Sequence, residues 1–377
     1  MTTSATRNQI PFFRYPHLFN QYRDEILAAL VDVMDRGAYI LQKDLAEFEA
    51  AIERYIGVKH AWGVANGTDG LILALRAAGV EPGSEVIVPS HTYVASAASI
   101  HFVGATPVLV DCQDDHMISP AAVESAIGPR TTAIMPIQLN GRTAAMDELQ
   151  RIADKHGLVI VEDAAQGLGS KYKGRPAGTF GAAAEFSLYP AKVLGCFGDG
   201  GIVTTNDDEV ARKLMLLRDH GRNEDGLVVT WGLNSRLDNL QAAILNVRLK
   251  HFPAEIERRR QLARLYREGL GDVPELLLPP GPDNDPDHFD VYQNYEIEAE
   301  RRDDLRRHLE QDGVRTIIQW AGTPVHGFGL PGVRVTDLPR TRLLFERCFL
   351  LPMNTSLTDD EVHYICDSIR RFYGRPV

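Results

Sequence analysis

Short apolar runs alternate with amphipathic segments between Ala61 and Asp163, and this feature most restricts how the chain can fold. Runs typical of buried strands occur at residues 61–65, 85–88, 106–111, 133–137 and 158–163. Amphipathic helices are predicted after the first run and, from Ala145 to His156, before the last. Such β-α-β repetition predicts a mostly parallel sheet covered on both faces, with ligands at the carboxyl ends of its strands.

Composition describes a soluble globular chain that is large enough for two domains. Its 377 residues are 44% hydrophobic and 24% charged, and the formal net charge is -11. An acidic chain repels a phosphate backbone at long range, so nucleic acid is not an expected partner. Any anionic ligand must therefore be held by local groups.

The cysteines and the hydropathy pattern indicate a cytoplasmic location. The four cysteines are far apart, with no CxxC pair, so neither a metal site nor a disulfide framework is predicted. The N-terminus is polar, and no run approaches eighteen apolar residues. We expect neither secretion nor a membrane span.

Two segments late in the chain are predicted from composition alone. Residues 279–287 are too rich in Pro and Asp for regular structure and read as a loop. Residues 256–267 carry five arginines between apolar positions, which is typical of a long amphipathic helix. We interpret those arginines as a solvated charged face.

A possible phosphate site follows the first strand. Gly67-Thr68-Asp69 opens a helix, where free backbone N–H groups and the helix dipole favour an anion. The alternative is an ordinary capped helix, in which Thr68 or Asp69 satisfies the end groups. Taken alone, this segment leaves both interpretations open.

Two ionisable residues occupy unusual places further along. Asp163 ends a very apolar strand, so its carboxylate should meet a cation or a helix terminus, or act as the N-cap of the next helix. Lys192 lies between an apolar strand and a glycine-dense turn. Burial there would lower its pKa and make the neutral amine a nucleophile, whereas the alternative is a surface loop lysine.

Together these segments resemble enzymes of fold type I, the aspartate aminotransferase-like fold, that use pyridoxal 5'-phosphate (PLP). The match narrows to the DegT/DnrJ/EryC1/StrS family of nucleotide-sugar aminotransferases, which the chain resembles over nearly its whole length. The motifs that carry the resemblance are EDAAQ at 162–166, SLYPAK at 187–192, GDGG at 198–201 and GLNSRLD at 232–238. The resemblance implies a large, mostly parallel sheet domain at 1–250, including an N-terminal arm, and a smaller C-terminal α+β domain at 251–377.

The resemblance also implies roles around the cofactor. Lys192 matches the lysine that binds PLP covalently and then moves the substrate proton, and Asp163 matches the acid that keeps the ring nitrogen protonated. Gln166 corresponds to the residue that hydrogen-bonds the 3'-oxygen, and Tyr93 to the ring against the pyridine face. The implied phosphate ligands are Gly67, Thr68, Asp69 and Ser187, with Asn234 reaching in from the neighbouring subunit of a homodimer.

The resemblance also implies substrate contacts, which come from several separate segments of the chain. Arg14 and Tyr15 lie in the segment that resembles the family's substrate entrance, Arg236 lies beside Asn234, and Tyr189 precedes the lysine. For Arg236 a structural ion pair is the alternative, and for Arg14 an exposed arm residue. The family's usual His-Tyr-Pro segment is replaced around Trp320, before His326, which would line the sugar pocket or simply pack.

The resulting prediction is a PLP-dependent transaminase that moves an amino group, from L-glutamate, to carbon three or carbon four of a nucleotide-linked keto-deoxysugar. An aminocyclitol transaminase is the nearest alternative. A sugar 3-dehydratase is disfavoured because those relatives replace the lysine with histidine, whereas Lys192 is intact. A non-catalytic PLP-binding sensor is disfavoured because no DNA-binding segment is appended. No metal site is predicted.

Overall fold

The computed structural model describes residues 9–377, which form a three-layered α/β arrangement and a second, antiparallel sheet. The helices are α1 Tyr15–Asn20, α2 Arg23–Arg36, α3 Lys43–Ile56, α4 Gly67–Ala77, α5 Val94–Phe102, α6 Pro120–Ala126, α7 Met146–His156, α8 Asp208–Arg218, α9 Asn239–Leu270, α10 Arg302–Gln311, α11 Pro339–Arg347 and α12 Asp359–Phe372. Short 3-10 helices span Leu139–Gly141, Gln319–Gly322 and Val325–Phe328.

The strands form one large sheet and two small ones. They are β1 His60–Val64, β2 Glu85–Pro89, β3 Thr106–Val110, β4 Thr131–Ile134, β5 Val159–Asp163, β6 Lys171–Tyr172, β7 Arg175–Pro176, β8 Ala183–Ser187, β9 Gly201–Thr205, β10 Leu276–Leu277, β11 His288–Phe289, β12 Tyr295–Ala299, β13 Arg334–Val335 and β14 Cys348–Leu351. The eight-stranded sheet has the order β1-β9-β8-β5-β4-β2-β3-β13, and only β9 runs antiparallel to its neighbours. The predicted mostly parallel α/β fold is confirmed.

The alternation in the sequence accounts for the large sheet. Each predicted strand between residues 61 and 163 is present, and its residues are almost all buried because helices cover both faces. The largest hydrophobic cluster lies on this sheet and includes Val86, Val108, Ile134 and Val161. This packing fixes the carboxyl ends of the strands, where the site is found.

A separate hydrophobic cluster surrounds the antiparallel sheet β10-β12-β14 near the C-terminus, and Ile10 from the other end of the chain packs into it. The helix α9 runs without a break through residue 250, so the predicted domain boundary lies inside a helix. Strand β13, from the C-terminal part, also joins the large sheet. The division at 250/251 stays a prediction.

The interpretation of the arginines on α9 as a solvated face is wrong for two of them. Arg259 and Arg260 are buried, and each donates to backbone carbonyl groups: Arg259 to Tyr292 and Met353, and Arg260 to Asp290. Their guanidinium groups satisfy irregular backbone that has no sheet partner. The loop at 279–287 is observed as predicted, without helix or strand, and no helix within residues 9–377 is long and apolar enough to cross a bilayer.

Candidate active site

A cavity of about 570 Å³ opens at the carboxyl ends of the parallel strands of the large sheet. It brings together nine of the fifteen residues singled out in the sequence. Those nine are Gly67, Thr68, Tyr93, Asp163, Gln166, Ser187, Tyr189, Lys192 and Trp320. Asp69, Asn234, Arg14, Tyr15, Arg236 and His326 are not among its lining residues.

Lys192 lies on a short loop after β8 that is fixed from both sides. Its backbone N–H donates to the carbonyl of Tyr189 at 2.8 Å. The side chain of Gln293 bridges the flanking residues, accepting from the N–H of Val193 at 2.6 Å and donating to the carbonyl of Ala191 at 2.8 Å. Burial lowers the pKa of the Lys192 amine, and two nearby carboxylates oppose this effect. A larger fraction of the Lys192 side chain is therefore in the neutral, nucleophilic amine form than for a surface lysine.

Asp163 ends β5 inside the cavity and is held by two donors. The hydroxyl of Ser96 donates to Oδ2 at 2.6 Å, and the N–H of Ala165 donates to Oδ1 at 3.2 Å. Burial raises the pKa of Asp163, whereas Ser96, Ala165 and the Lys192 cation lower it. The donors therefore support an anion that burial alone would disfavour. Ser96 was missed in the sequence, although it lies one helical turn after Tyr93.

The first turn of α4 forms one end of the cavity. Asn66 caps the helix and accepts from the N–H of Asp69 at 2.8 Å. The N–H groups of Gly67 and Thr68 precede the first intrahelical bond, and no hydrogen bond among residues 9–377 uses them. An anion would be bound there by these groups and by the helix dipole. The N–H of Asp69 is already bound to Asn66 and Asp69 is not among the residues that line the cavity, so its role in phosphate binding stays a prediction.

Gln166 and Tyr93 both line the cavity. Oε1 of Gln166 accepts from the N–H of Asn140 at 2.8 Å and from Nδ2 of Asn294. Its Nε2 takes part in no hydrogen bond found among the described residues, so it can donate to a ligand. Tyr93 is 56% exposed and stands at the opening, before α5.

Trp320 lines the cavity and belongs to a segment with unusual backbone geometry. Trp320 and Ala321 have φ values of 51° and 56°, in the left-handed region that non-glycine residues rarely adopt. The neighbouring Gln319 is buried and donates to Oδ1 of Asn140 at 2.9 Å and to Oε1 of Glu296 at 2.8 Å. These polar contacts hold the strained turn, and no local pattern in the sequence indicates them.

Two predicted substrate arginines are engaged elsewhere. Arg14 donates to Glu361 on α12, with a second bond of 3.2 Å, and to the carbonyl of Ser356. Arg236 forms an ion pair of 2.7 Å with Asp219, which is the structural alternative raised for it above. A role of either guanidinium in substrate binding stays a prediction.

The remaining three residues are not among those that line the cavity. Nδ1 of His326 is 2.7 Å from the hydroxyl of Ser90, and burial lowers its pKa. Tyr15 neighbours Tyr189 of the cavity wall, and burial together with that neighbour raises the pKa of Tyr15. Asn234 is exposed, so it can reach a second chain.

The geometry fits PLP, the cofactor implied by the resemblance. A helix N-terminus with two unused N–H groups suits the phosphate, and a supported carboxylate in the same cavity suits a protonated ring nitrogen. A lysine with a lowered pKa lines the same cavity. Within residues 9–377 no cluster of His, Cys, Asp or Glu is arranged to hold a metal ion.

Comparison with known proteins agrees with this geometry. Residues 20–370 match the model of the DegT/DnrJ/EryC1/StrS aminotransferase family. The chain is 42% identical to dTDP-3-amino-3,4,6-trideoxy-alpha-D-glucose transaminase of Streptomyces venezuelae, over 100% of this chain and 99% of that one. It is 39% identical to the UDP-N-acetyl-3-dehydro-alpha-D-glucosamine 3-aminotransferase of Acidithiobacillus ferrooxidans, over 94% and 95% of the two chains. The crystal structure of S. venezuelae DesV with a ketimine intermediate superposes with a TM-score of 0.92 at 41% identity, covering 98% of this chain and 100% of that one.

Proposed function

The chain belongs to the DegT/DnrJ/EryC1/StrS aminotransferase family, and from that premise we propose that it aminates a nucleotide-linked keto-deoxysugar at carbon three. It is a PLP-dependent aminotransferase. The proposal of carbon three is supported by two relatives with 42% and 39% identity whose names specify a 3-amino product or 3-amination. We propose L-glutamate as the amino donor.

When bound, PLP supplies an electron-withdrawing ring that accepts the negative charge developing as a substrate C–H bond breaks. The residues of this chain provide the rest. Lys192 attaches the cofactor and, once released as a neutral amine, takes the proton from the substrate carbon. Asp163, held anionic by Ser96, stabilises positive charge on the ring nitrogen. Gln166 donates from Nε2 to the ring oxygen.

The observation that carries this proposal is the pairing of Lys192 with Asp163 in one cavity, in a chain that matches sugar transaminases over its full length. Tyr93, Tyr189 and Trp320 surround the opening and offer apolar faces to a deoxysugar. Because Arg14 and Arg236 are already paired with acids, these aromatic residues are the first candidates for substrate contacts.

The test separates the two half-reactions. Purified protein carrying PLP is mixed with L-glutamate alone, and its absorbance should change from that of bound PLP to that of pyridoxamine 5'-phosphate. A nucleotide-linked 3-keto sugar, its 4-keto isomer or a cyclitol ketone is then added in separate samples. Only the 3-keto sugar should restore the PLP spectrum rapidly.

Each other outcome has a defined meaning. Recovery with the 4-keto sugar would move the amination to carbon four, and recovery with the cyclitol ketone would favour the aminocyclitol alternative. No change with L-glutamate or any other amino acid would contradict a catalytic role. A Lys192→Ala sample serves as the control, because spectral changes unrelated to turnover would persist in it.

We also propose that the enzyme is a homodimer with shared sites. Residues 227–233, here called the apolar loop, expose Leu227, Val228, Val229 and Trp231, and Trp231 is 93% exposed. Contiguous exposed apolar residues are typical of protein interfaces. The loop leads directly into Asn234, which places a candidate phosphate ligand beside the surface that a second chain would cover.

A cytoplasmic location is part of the same proposal. The four cysteines are unpaired and buried in the structure, and burial raises the pKa of each thiol. Unpaired thiols suit a reducing compartment. Cell fractionation with a cytoplasmic marker would test this assignment.

A further inference from the structure

Glu185 is a buried carboxylate of the cavity for which the cofactor assignment gives no role. It lines the cavity, its relative exposure is 0%, and neither carboxylate oxygen has a hydrogen-bond partner in the described chain. It lies on β8 two residues before Ser187, so both side chains project from the same face of the strand. A buried carboxylate without donors is costly if it is ionised.

The first turn of α4 packs directly against this carboxyl group. A Cβ atom added to Gly67 would lie 2.7 Å from Oε1 of Glu185, and one added to Gly70 would lie 2.6 Å from its Cγ. A larger residue at either position would displace Glu185, so the carboxyl group lies directly beside the helix end assigned to the phosphate. An ionised Glu185 would place a negative charge where the ligand is itself an anion.

Most charged groups around Glu185 are acids, which disfavour its ionised form. Asp163 is its direct neighbour in the parallel register of β5 and β8, and Lys192 is the one cation acting on its pKa. On α4 the titratable residue of the first turn is Asp69, a further acid. Glu162, the other acid of β5, is bound by the N–H groups of Gly178 and Phe180.

Burial and the acidic neighbour Asp163 act on the pKa of Glu185 in the same direction, and Lys192 opposes them. Burial raises the pKa of Glu185 well above its ordinary value, Asp163 raises it further, and only Lys192 lowers it. A cofactor phosphate beside the group would raise this pKa again, because like charges disfavour ionisation.

We propose that Glu185 is a protonated carboxylic acid in the cofactor-bound enzyme and acts as a positioning residue, a neutral hydrogen-bond donor between Asp163 and the cofactor phosphate. The inference rests on the assignment of the phosphate to the first turn of α4. The proton comes from solvent when the group is ionised beforehand. Cofactor affinity is therefore full below the pKa of Glu185 in the free protein and falls as pH rises toward its pKa in the complex, by up to about tenfold per pH unit.

The probe is pyridoxamine 5'-phosphate, which binds without a covalent bond to Lys192 and so removes lysine chemistry from the measurement. Infrared spectra of the wild-type protein saturated with the probe are recorded at neutral pH, so that the band is seen whether Glu185 takes up its proton before or during binding. A C=O stretching band of a protonated carboxylic acid should be present in the complex and absent in Glu185→Gln. Glu162→Gln is the matched control, because it replaces the neighbouring buried acid of β5 and should leave this band in place.

The second measurement is the affinity of the probe between about pH 6 and pH 9, spanning the range in which a raised carboxyl pKa would be seen. Glu185→Gln, which is neutral and can donate, should match the wild-type affinity at low pH within about twofold and should not weaken as pH rises. Pyridoxamine without phosphate should show a smaller difference between wild type and variant. An equal difference would mean that Glu185 acts on Asp163 alone and would contradict the phosphate part of the proposal.

The outcomes separate this inference from the proposed function. If the wild-type protein fails to bind the probe at all, the cofactor assignment itself is wrong. If it binds without the acid band, Glu185 is ionised in the complex and only this inference fails. The infrared measurement on wild-type protein needs no variant, so it decides the matter even if Glu185→Gln does not fold.

Discussion

At the scale of single residues, Lys192 gives the most direct prediction. Lys192→Ala should lose any borohydride-reducible cofactor adduct and at least 10²-fold in turnover, on the order expected for loss of a proton-transfer group. The fold should persist, because the side chain makes no hydrogen bond among residues 9–377 and its loop is held by Gln293. Lys250→Ala, at an exposed position of α9, is the matched control. A reducible adduct retained in Lys192→Ala would contradict the assignment.

Asp163 tests whether the site requires a charge or only a polar group. Asp163→Asn keeps the shape but removes the negative charge, and we expect a loss on the order of 10²-fold or more in kcat/KM for L-glutamate. Near-normal activity would remove Asp163 from its role.

Ser96→Ala provides a graded companion to that substitution. Ser96 lowers the pKa of Asp163, so its removal should raise that pKa and move the acidic limb of the activity profile to higher pH. At high pH, where Asp163 is ionised in either protein, the two profiles should converge. A uniform loss at every pH would indicate a structural defect instead.

At the scale of elements, His116 joins the segment after β3 to the antiparallel sheet. Its Nδ1 is 2.8 Å from Glu296, its Nε2 is 3.1 Å from Glu298, and Glu298 also binds Arg340. These contacts raise the pKa of His116 to about 9 despite its burial. The group thus binds its proton more tightly in the folded state, and its stabilisation is full below about pH 6.5 and is lost as pH rises through about 9.

The expected size of this effect is on the order of 3 kcal/mol, because each unit of pKa difference corresponds to 1.36 kcal/mol. His116→Gln should be less stable than wild type by that order near pH 6, and the difference should shrink toward zero near pH 10. Urea unfolding at a fixed protein concentration measures it. His60→Gln, which removes an exposed contact to Asp208, should cost under about 1 kcal/mol at every pH. A difference for His116→Gln that does not vary with pH would contradict the charged pair.

Local sequence patterns predicted the secondary-structure elements well, but they did not predict contacts between residues that are distant in the sequence. The strands from β1 to β5 follow from apolar runs, and Lys192 and Asp163 follow from charged residues at strand ends. The burial of Arg259 does not follow from a local pattern. Its partners are backbone carbonyl groups up to about a hundred residues away, and these carry no sequence signal. Glu185 had a sequence signal that was overlooked. It is a charged residue inside an apolar strand, two positions before Ser187 and therefore on the same face.

At the scale of the whole molecule, the question is whether one chain forms a complete site. The cavity contains the lysine, the acid and the helix end, but Asn234 lies outside it, beside the exposed apolar loop. If Asn234 serves the partner's phosphate, a chain with Lys192→Ala and a chain with Asn234→Asp carry lesions that fall in different sites of a mixed dimer. One site of that dimer inherits both lesions and the other inherits neither.

Subunit exchange between these two inactive proteins should therefore restore activity. In an equal mixture half of the dimers are mixed and each has one intact site, so we expect about one quarter of wild-type activity for a two-fold symmetric dimer. Lys192→Ala mixed with Asp163→Asn is the matched control, because both of those residues line the cavity of their own chain and every site keeps one lesion. Activity in the first mixture and none in the second would establish a shared site. Exchange proven by mass spectrometry without recovered activity in the first mixture would place Asn234 in the site of its own chain or in none.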